Sequence, residues 1–237
     1  MARGAYLRSP VSPSSILPLS SPPGTRGILV TDFDGTITTG DFFELVRRRW
    51  PQVPDPWDQA LAGTIPMREA LRRIFAGARG TRDEFLQLCE HGQVGAETGE
   101  AFRQLQQAGW RIIVASAGCD FYIHHTLSRV GVQAEVVAHR GEFIEGEGLI
   151  MQPLDDSPFA HPRFGLNKAE VVRHVQTTGL PVAFAGDGTP DLDPLLLVPA
   201  HYRFATGWAA EELIRRGADF QRFSRWPELA HLLLRYA

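Results

Sequence analysis

Short apolar runs punctuate this chain, and each stops at a cluster of small and polar residues. Ile28-Leu29-Val30 runs into Thr31-Asp32-Phe33-Asp34-Gly35-Thr36, Ile112-Ile113-Val114-Ala115 into Ser116-Ala117-Gly118, and Val182-Ala183-Phe184-Ala185 into Gly186-Asp187-Gly188-Thr189-Pro190-Asp191. Unbroken apolar runs of this length, without polar alternation, read as strands buried on both faces of a parallel sheet. Gln133 to Ala138 and Tyr202 to Ala205 read as further strands, and Glu142 to Ile150 as a hairpin with a Gly-rich turn. Elsewhere the period is helical. Asp41-Phe42-Phe43-Glu44 looks like a capped start, Met67 to Phe75 a helix, and Thr81-Arg82-Asp83-Glu84 a capping box with Phe85, Leu88 and Cys89 on one face behind it. Asn167 precedes Lys168 and stands three residues before Glu170, which predicts an N-cap at Asn167. Thr189-Pro190 fits an N-cap and first helical position, and residues 208–216 and 226–236 close the chain as helices.

Strands alternating with helices predict an α/β architecture with a mostly parallel sheet. The stretch 41–95 carries helical patterns and no clear strand, although Pro51 to Pro56 breaks it. It therefore reads as a small α-helical insertion between two strands of a core made of residues 27–40 and 96–237. Pro153 to Phe164 reads as a long irregular loop able to line a site. Residues 1–26 are rich in Ser and Pro, carry Arg3, Arg8 and Arg26, and lack acids. That composition resembles an organellar transit peptide, but the prolines spoil an amphipathic helix, so a disordered leader is the reading adopted.

Composition narrows the function classes. The formal charge of −3 over 237 residues, with 43% hydrophobic residues, supports a packed core and gives no basic footprint for nucleic acid. No apolar run is long enough to span a membrane. The two cysteines, Cys89 and Cys119, lack metal-site spacing and read as small reduced side chains, which fits a cytoplasmic protein. His124 and His125 are adjacent on a predicted helix and cannot share a face as joint ligands.

The chemistry concentrates where the strands end. Asp32 and Asp34 fall at a strand-to-loop edge, where open α/β sheets bind ligands. Two carboxylates crowded there repel each other and invite a divalent cation; one can attack phosphorus while the other handles a proton. Ser116 followed by Ala117-Gly118 offers a hydroxyl and backbone N–H groups to an anion. Lys168 in a first helical turn opposes the helix dipole, which an anion nearby would explain. Asp41 needs no function as an N-cap, and Arg73 needs none as a surface helix arginine.

The ordered set Asp32-Phe33-Asp34-Gly35-Thr36, Ser116, Lys168, and Gly186-Asp187-Gly188 with Asp191 resembles the haloacid dehalogenase (HAD) superfamily of aspartate-nucleophile phosphatases. The framework covers residues 28–193. The resemblance implies a Rossmann-like three-layer core with a helical cap inserted after the first motif, and a Mg2+-dependent phosphomonoesterase. It implies Asp32 as nucleophile and Asp34 as general acid/base. Thr36, Ser116, Ala117 and Lys168 would hold the phosphoryl oxygens. Asp32, the Asp34 carbonyl and Asp187 would bind Mg2+, with Asp191 orienting the metal shell or Lys168. That Asp41 and Arg73 face the substrate is implied only by this resemblance. Asp34 argues against dehalogenation, because that branch needs neither this acid nor the metal. Within the superfamily the chain is most similar to the phosphoserine-phosphatase-like branch, and there to the methionine-salvage phosphatases acting on 2-hydroxy-3-keto-5-methylthiopentenyl-1-phosphate. The supporting stretches are Asp32 through Asp41, and Arg68-Glu69 through Arg73-Ile74-Phe75. Ser116-Ala117-Gly118 departs from the branch's common Ser-Gly-Gly, Asp41 replaces the longer Glu of phosphoserine phosphatases, and Arg73 stands one residue from their cap arginine. Implied partners are therefore a small phosphorylated metabolite, with no nucleic acid or membrane, in a monomer or homodimer. Phosphoserine is the alternative substrate. A HAD scaffold that binds a phosphorylated ligand or protein without turnover is the alternative of another class.

Overall fold

The computed structural model describes residues 17–53, 55–91 and 94–236. The strands, in chain order, are β1 (Gly27–Thr31), β2 (Trp110–Cys119), β3 (Glu135–His139), β4 (Gly141–Ile144), β5 (Gly148–Met151), β6 (Ala160–His161), β7 (Gly165–Leu166), β8 (Val182–Gly186), β9 (Arg203–Ala205) and β10 (Gln221–Arg222). Six form one sheet in the order β10-β9-β8-β1-β2-β3, with every pair parallel. β1 lies centrally, with β2 on one side and β8 on the other, so the strand order switches direction there, as ligand-binding α/β sheets do.

The helices are α1 (Phe42–Arg49), α2 (Trp57–Leu61), α3 (Met67–Gly77), α4 (Arg82–Glu90), α5 (Ala96–Gln107), α6 (Asp120–Arg129), α7 (Lys168–Gln176), α8 (Leu192–Leu197), α9 (Gly207–Arg215) and α10 (Trp226–Leu234). Alternation along β1 divides the core into two layers. Leu29 packs with Phe102, Leu105, Trp226 and Leu229 of α5 and α10, whereas Ile28 and Val30 pack with Val171, Val172, Leu195 and Leu213 of α7, α8 and α9. The α/β architecture expected from the apolar runs, with the three layers that the family resemblance implies, is the fold observed.

Helices α1 to α4 occupy residues 42–90. Their apolar residues Phe42, Val46, Leu71, Ile74, Phe75 and Phe85 belong to the same buried cluster as Leu29 and Ile112 of the sheet. The β4–β5 hairpin packs beside them: Phe143 meets Phe85 at 5.2 Å, and Leu149 and Met151 are buried in that cluster. The capping box at Thr81 and Glu84 forms as expected, as does the Asn167 cap, whose Oδ1 accepts from the Glu170 amide at 3.2 Å. Thr189 falls inside a 3-10 turn, Thr189–Asp191, that Gly188 precedes, one residue away from the cap expected at Thr189. The short β6–β7 hairpin interrupts the loop expected over 153–164.

The leader expected over residues 1–26 is corrected from Leu17 onward; residues 1–16 lie outside the described residues. Leu17 is buried among α7 and β8 side chains, and its carbonyl accepts from His174 Nε2 at 2.8 Å. The Pro18 carbonyl accepts from Arg111 Nη2 at 2.8 Å, and the Arg111 fork is held by Glu135. Apolar burial and these hydrogen bonds offset the ordering entropy that Ser- and Pro-rich composition alone does not. Among the described residues no helix is long and apolar enough to cross a membrane.

Candidate active site

Parallel register brings the acidic motifs together. Thr31 pairs with Val114 of β2 and Ala185 of β8, and the Asp32 amide donates to the Ala185 carbonyl at 2.9 Å. Asp32, Ser116 and Asp187 therefore stand at one edge, where three neighbouring strands meet their loops. β2 carries on through Ser116 to Cys119, with a register shift between Ala115 and Cys119, where a strand end had been expected. The irregularity re-aims the backbone beside the site, as bulges do.

Lys168 lies at the centre. It opens α7, is 2% exposed, and its Nζ reaches Asp32 Oδ2 at 2.7 Å and Asp191 Oδ1 at 2.6 Å. Burial works against its charge, but Asp191 and then Asp32 more than offset that and hold the ammonium above its ordinary value. Asp191 is fully buried and saturated: its Oδ2 accepts from the amides of Gly188 at 2.9 Å and Asp187 at 3.2 Å. Asp32 is raised well above the usual carboxylate range by burial first, then by Asp191, against the pull of Lys168. Burial, then Asp191, pushes Asp187 up to about 7.

These shifts reflect burial first and the mutual repulsion of the acids second. Carboxylate oxygens of Asp32, Asp187 and Asp191 lie within 4.8 Å of one another, and Lys168 is the only cation among the described residues that line the cavity. Buried carboxylates in excess of their cations are costly unless a cation joins them. Oxygen-only donors at this density fit a hard divalent ion. Asp191 has three partners, Lys168 on Oδ1 and the Asp187 and Gly188 amides on Oδ2, whereas Asp32 and Asp187 are less fully engaged.

The chain accommodates this crowding at Gly35. Its φ is +74°, and a Cβ there would lie 2.4 Å from Asp187 Oδ2. The Asp-Gly-Thr turn thus needs glycine both for its left-handed backbone and for the acid behind it. Thr36 takes a different place from the one expected. Its hydroxyl donates to Asp187 Oδ1 at 2.7 Å, and it does not line the central cavity. It orients an acid from behind.

That cavity, about 270 Å3, has a polar floor and an apolar wall. Asp32, Asp34, Ser116, Ala117, Lys168 and Asp187 form the floor; Phe43, Trp57 and Leu61 from α1 and α2, Met67, Leu71 and Phe75 from α3, and Phe164 and Trp208 from the core side form much of the rest. Ser116 is 1% exposed, and its Oγ accepts from the Gly118 amide at 3.0 Å. Asp41 also lines the cavity. It stands at the N-cap position of α1 but makes no capping bond, and burial, then Asp34, raises it to about 7.

Arg73 is not brought to the site. Its Nε pairs with Glu69 Oε1 at 2.6 Å on the exposed face of α3. Met67, Leu71 and Phe75, spaced by four, face the cavity; a residue two positions from Leu71 is turned about 200° around the helix, to the far side. Tyr122, by contrast, escaped the sequence reading. It is fully buried, and its hydroxyl donates to Asp34 Oδ2 at 2.6 Å. A tyrosine on the buried face of a helix needs a partner for its hydroxyl, and that is the signal it carried. The aromatic wall was also missed, because Trp57, Phe164 and Trp208 come from three separate segments. Cys89 and Cys119 are free and buried, with the Cys89 thiol pushed by burial to about 12.

The chain is similar to known phosphatases in sequence and in fold. A 2-hydroxy-3-keto-5-methylthiopentenyl-1-phosphate phosphatase from Exiguobacterium sp. is 30% identical over 105 residues, covering 42% of this chain and 48% of that protein. The bifunctional enzyme MtnB/MtnX of Bacillus licheniformis is 24% identical over 176 residues, covering 71% of this chain and 40% of that protein. The chain thus spans about half or less of the length of these curated relatives. Among solved structures, a phospho-aspartyl intermediate analogue of phosphoserine phosphatase superposes with a TM-score of 0.62 at 16% identity, covering 90% of this chain and 99% of the other. A phosphoserine phosphatase from T. onnurineus gives 0.60 at 18% identity, covering 90% and 97%. These structural likenesses bear on the fold alone. The profile described as haloacid dehalogenase-like hydrolase matches residues 29–195, which hold every motif of the cavity floor, and the chain belongs to that family.

Proposed function

We propose that this protein is a Mg2+-dependent phosphomonoesterase that works through an aspartyl-phosphate on Asp32. The observation that carries this reading is the convergence of Asp32, Lys168, Asp187 and Asp191 on the floor of one cavity. In this reading Asp32 attacks phosphorus, the bond to the leaving oxygen breaks, and Asp34 gives that oxygen its proton. Asp34 then takes a proton from water as the water oxygen bonds to phosphorus and the Asp32–phosphorus bond breaks. Lys168 orients Asp32 and offsets the charge that a phosphate dianion brings to a carboxylate. Ser116 and the Ala117 backbone hold phosphoryl oxygens. Asp32, Asp187 and the Asp34 carbonyl would hold Mg2+, which when bound supplies further positive charge to the phosphoryl group. Asp191 fixes Lys168, and Thr36 fixes Asp187.

Helices α1 to α3 act as the cap over this floor, in the reading that assigns residues 41–95 to a lid. The wall they supply favours the methionine-salvage enol phosphate over phosphoserine. Phosphoserine presents a carboxylate, and among the described residues no arginine or second lysine lines the cavity. A buried carboxylate without a cation is strongly disfavoured, whereas an uncharged methylthio tail suits Met67, Leu71 and Phe75. A scaffold without turnover has the weaker support, since every chemical position is filled.

The test is hydrolysis of p-nitrophenyl phosphate with Mg2+ and with EDTA, followed by kcat/KM for the enol phosphate and for phosphoserine. Metal-dependent turnover with preference for the enol phosphate is expected. Absence of turnover with Mg2+ defeats the reading, and a preference for phosphoserine defeats the substrate assignment.

A further inference from the structure

Asp34 is partly buried and lines the cavity, yet it has no salt bridge; Lys168 is engaged by Asp32 and Asp191. Two neutral donors hold it instead. The Phe42 amide, first in α1, donates to Oδ1 at 2.9 Å, and the Tyr122 hydroxyl, from α6, donates to Oδ2 at 2.6 Å. The same two residues stack on each other, with ring centroids 4.2 Å apart and planes inclined by 21°. Phe33 and Phe75 close around Tyr122 at 5.9 and 6.0 Å. The hydroxyl occupies space that only glycine leaves free: a Cβ on Gly118 would lie 1.7 Å from Tyr122 Oη.

We propose that Tyr122 is a positioning residue for the acid/base group: its hydroxyl, with the Phe42 amide, locks the Asp34 carboxyl in the orientation from which a proton passes to and from the cavity. The clamp takes one lone pair on each carboxylate oxygen and leaves the others for proton transfer. It also satisfies the partly buried carboxylate that remains after the proton has been given up. Because one donor comes from α1 and the other from α6, the acid is in register only when α1 is seated on the core. Tyr122 gains and loses no proton over the cycle. Gly118 serves the clamp by making room for the hydroxyl, which gives the Ser116-Ala117-Gly118 segment a second task beside anion binding. This inference rests on the phosphomonoesterase reading.

The experiment compares two esters in the Mg2+-loaded full chain. p-Nitrophenyl phosphate releases a stable phenolate and needs little protonation, whereas n-pentyl phosphate releases an alkoxide that must be protonated. Tyr122→Phe keeps the ring and its stacking but removes the hydroxyl. A loose acid costs on the order of 10–100-fold when geometry alone is disturbed. The expected result is that kcat/KM for n-pentyl phosphate falls by about that factor while p-nitrophenyl phosphate falls by less than about threefold. Tyr122→Phe should keep the wild-type circular dichroism spectrum, since the ring and its stack on Phe42 remain. A proportionate fall for both esters, or no fall for either, overturns the role of Tyr122. A wild-type protein that turns over neither ester overturns the phosphatase reading, and this inference with it.

Discussion

Replacing Lys168 by Met isolates what its charge does. The side chains are similar in length, so the volume change costs less than about 1.5 kcal/mol. The charge matters more. Lys168 is 2% exposed and bridges two acids that are themselves nearly or fully buried. Removing one partner from a buried ionic cluster costs about 3–5 kcal/mol, because the remaining charges stay uncompensated. For a chain of this size each kcal/mol moves Tm by about 2–4 °C, so Tm in EDTA at pH 8 should fall by roughly 6–20 °C. The pH dependence separates charge from packing. Asp32 already sits above its ordinary value because of burial and Asp191, and it rises further without Lys168. An acid whose folded pKa is raised stabilises the fold while protonated and withdraws that stability as pH rises through the folded value. The deficit should therefore be larger at pH 8 than at pH 6. Adding Asp191→Asn removes one uncompensated charge and should return part of the lost stability. The assay is thermal unfolding in EDTA of wild type, Lys168→Met, and the double variant at both pH values. A Tm loss below about 3 °C, a loss equal at the two pH values, or a double variant weaker than Lys168→Met would refute the charge argument.

Other outcomes follow from the same geometry. Asp32→Asn should keep the wild-type circular dichroism spectrum and lose at least about 10³-fold in kcat for p-nitrophenyl phosphate, since an amide cannot form the acyl-phosphate; residual turnover near wild type would remove Asp32 as nucleophile. Asp187 is raised from 3.8 to about 7, so in EDTA its protonation favours the fold below that value, and on the order of 1 kcal/mol disappears between pH 6 and pH 8. Asp187→Asn should flatten that part of the Tm profile and weaken Mg2+ activation; parallel profiles for variant and wild type would contradict it. Trp57→Ala and Asp41→Ala should change kcat/KM among natural esters by about tenfold or more, with little effect on p-nitrophenyl phosphate, while Arg73→Ala leaves all substrates within about twofold because its side chain points away from the cavity. Equal losses across substrates for the first two, or a selective loss for Arg73→Ala, would reverse that assignment.

Features that depend on nearby residues were legible in the chain itself. Apolar runs ending in Asp32, Ser116 and Asp187 became neighbouring parallel strands, and the caps at Thr81 and Asn167 formed where Glu84 and Glu170 stand three residues on. Arg73 shows a local signal overlooked: Leu71 and Phe75 mark the buried face of α3, so a residue two positions from Leu71 lies opposite it. Residues 17–26 show the limit of composition, since the burial of Leu17 and the bonds from His174 and Arg111 come from segments far along the chain.

The sequence by itself determined the α/β class and the family, and it marked the acids and the lysine that line the cavity, because each stands at the end of a local apolar run or at the start of a helical pattern. Tertiary structure alone decided their partnerships. Thr36 meets an acid 151 residues away, Tyr122 reaches Asp34 across 88, and Trp57, Phe164 and Trp208 join one wall from three segments. The physical reason is range. Propensity, capping and hydrophobic periodicity act over a few residues, whereas a hydrogen bond or an apolar contact between distant segments exists only once the sheet register and helix packing have set their separation.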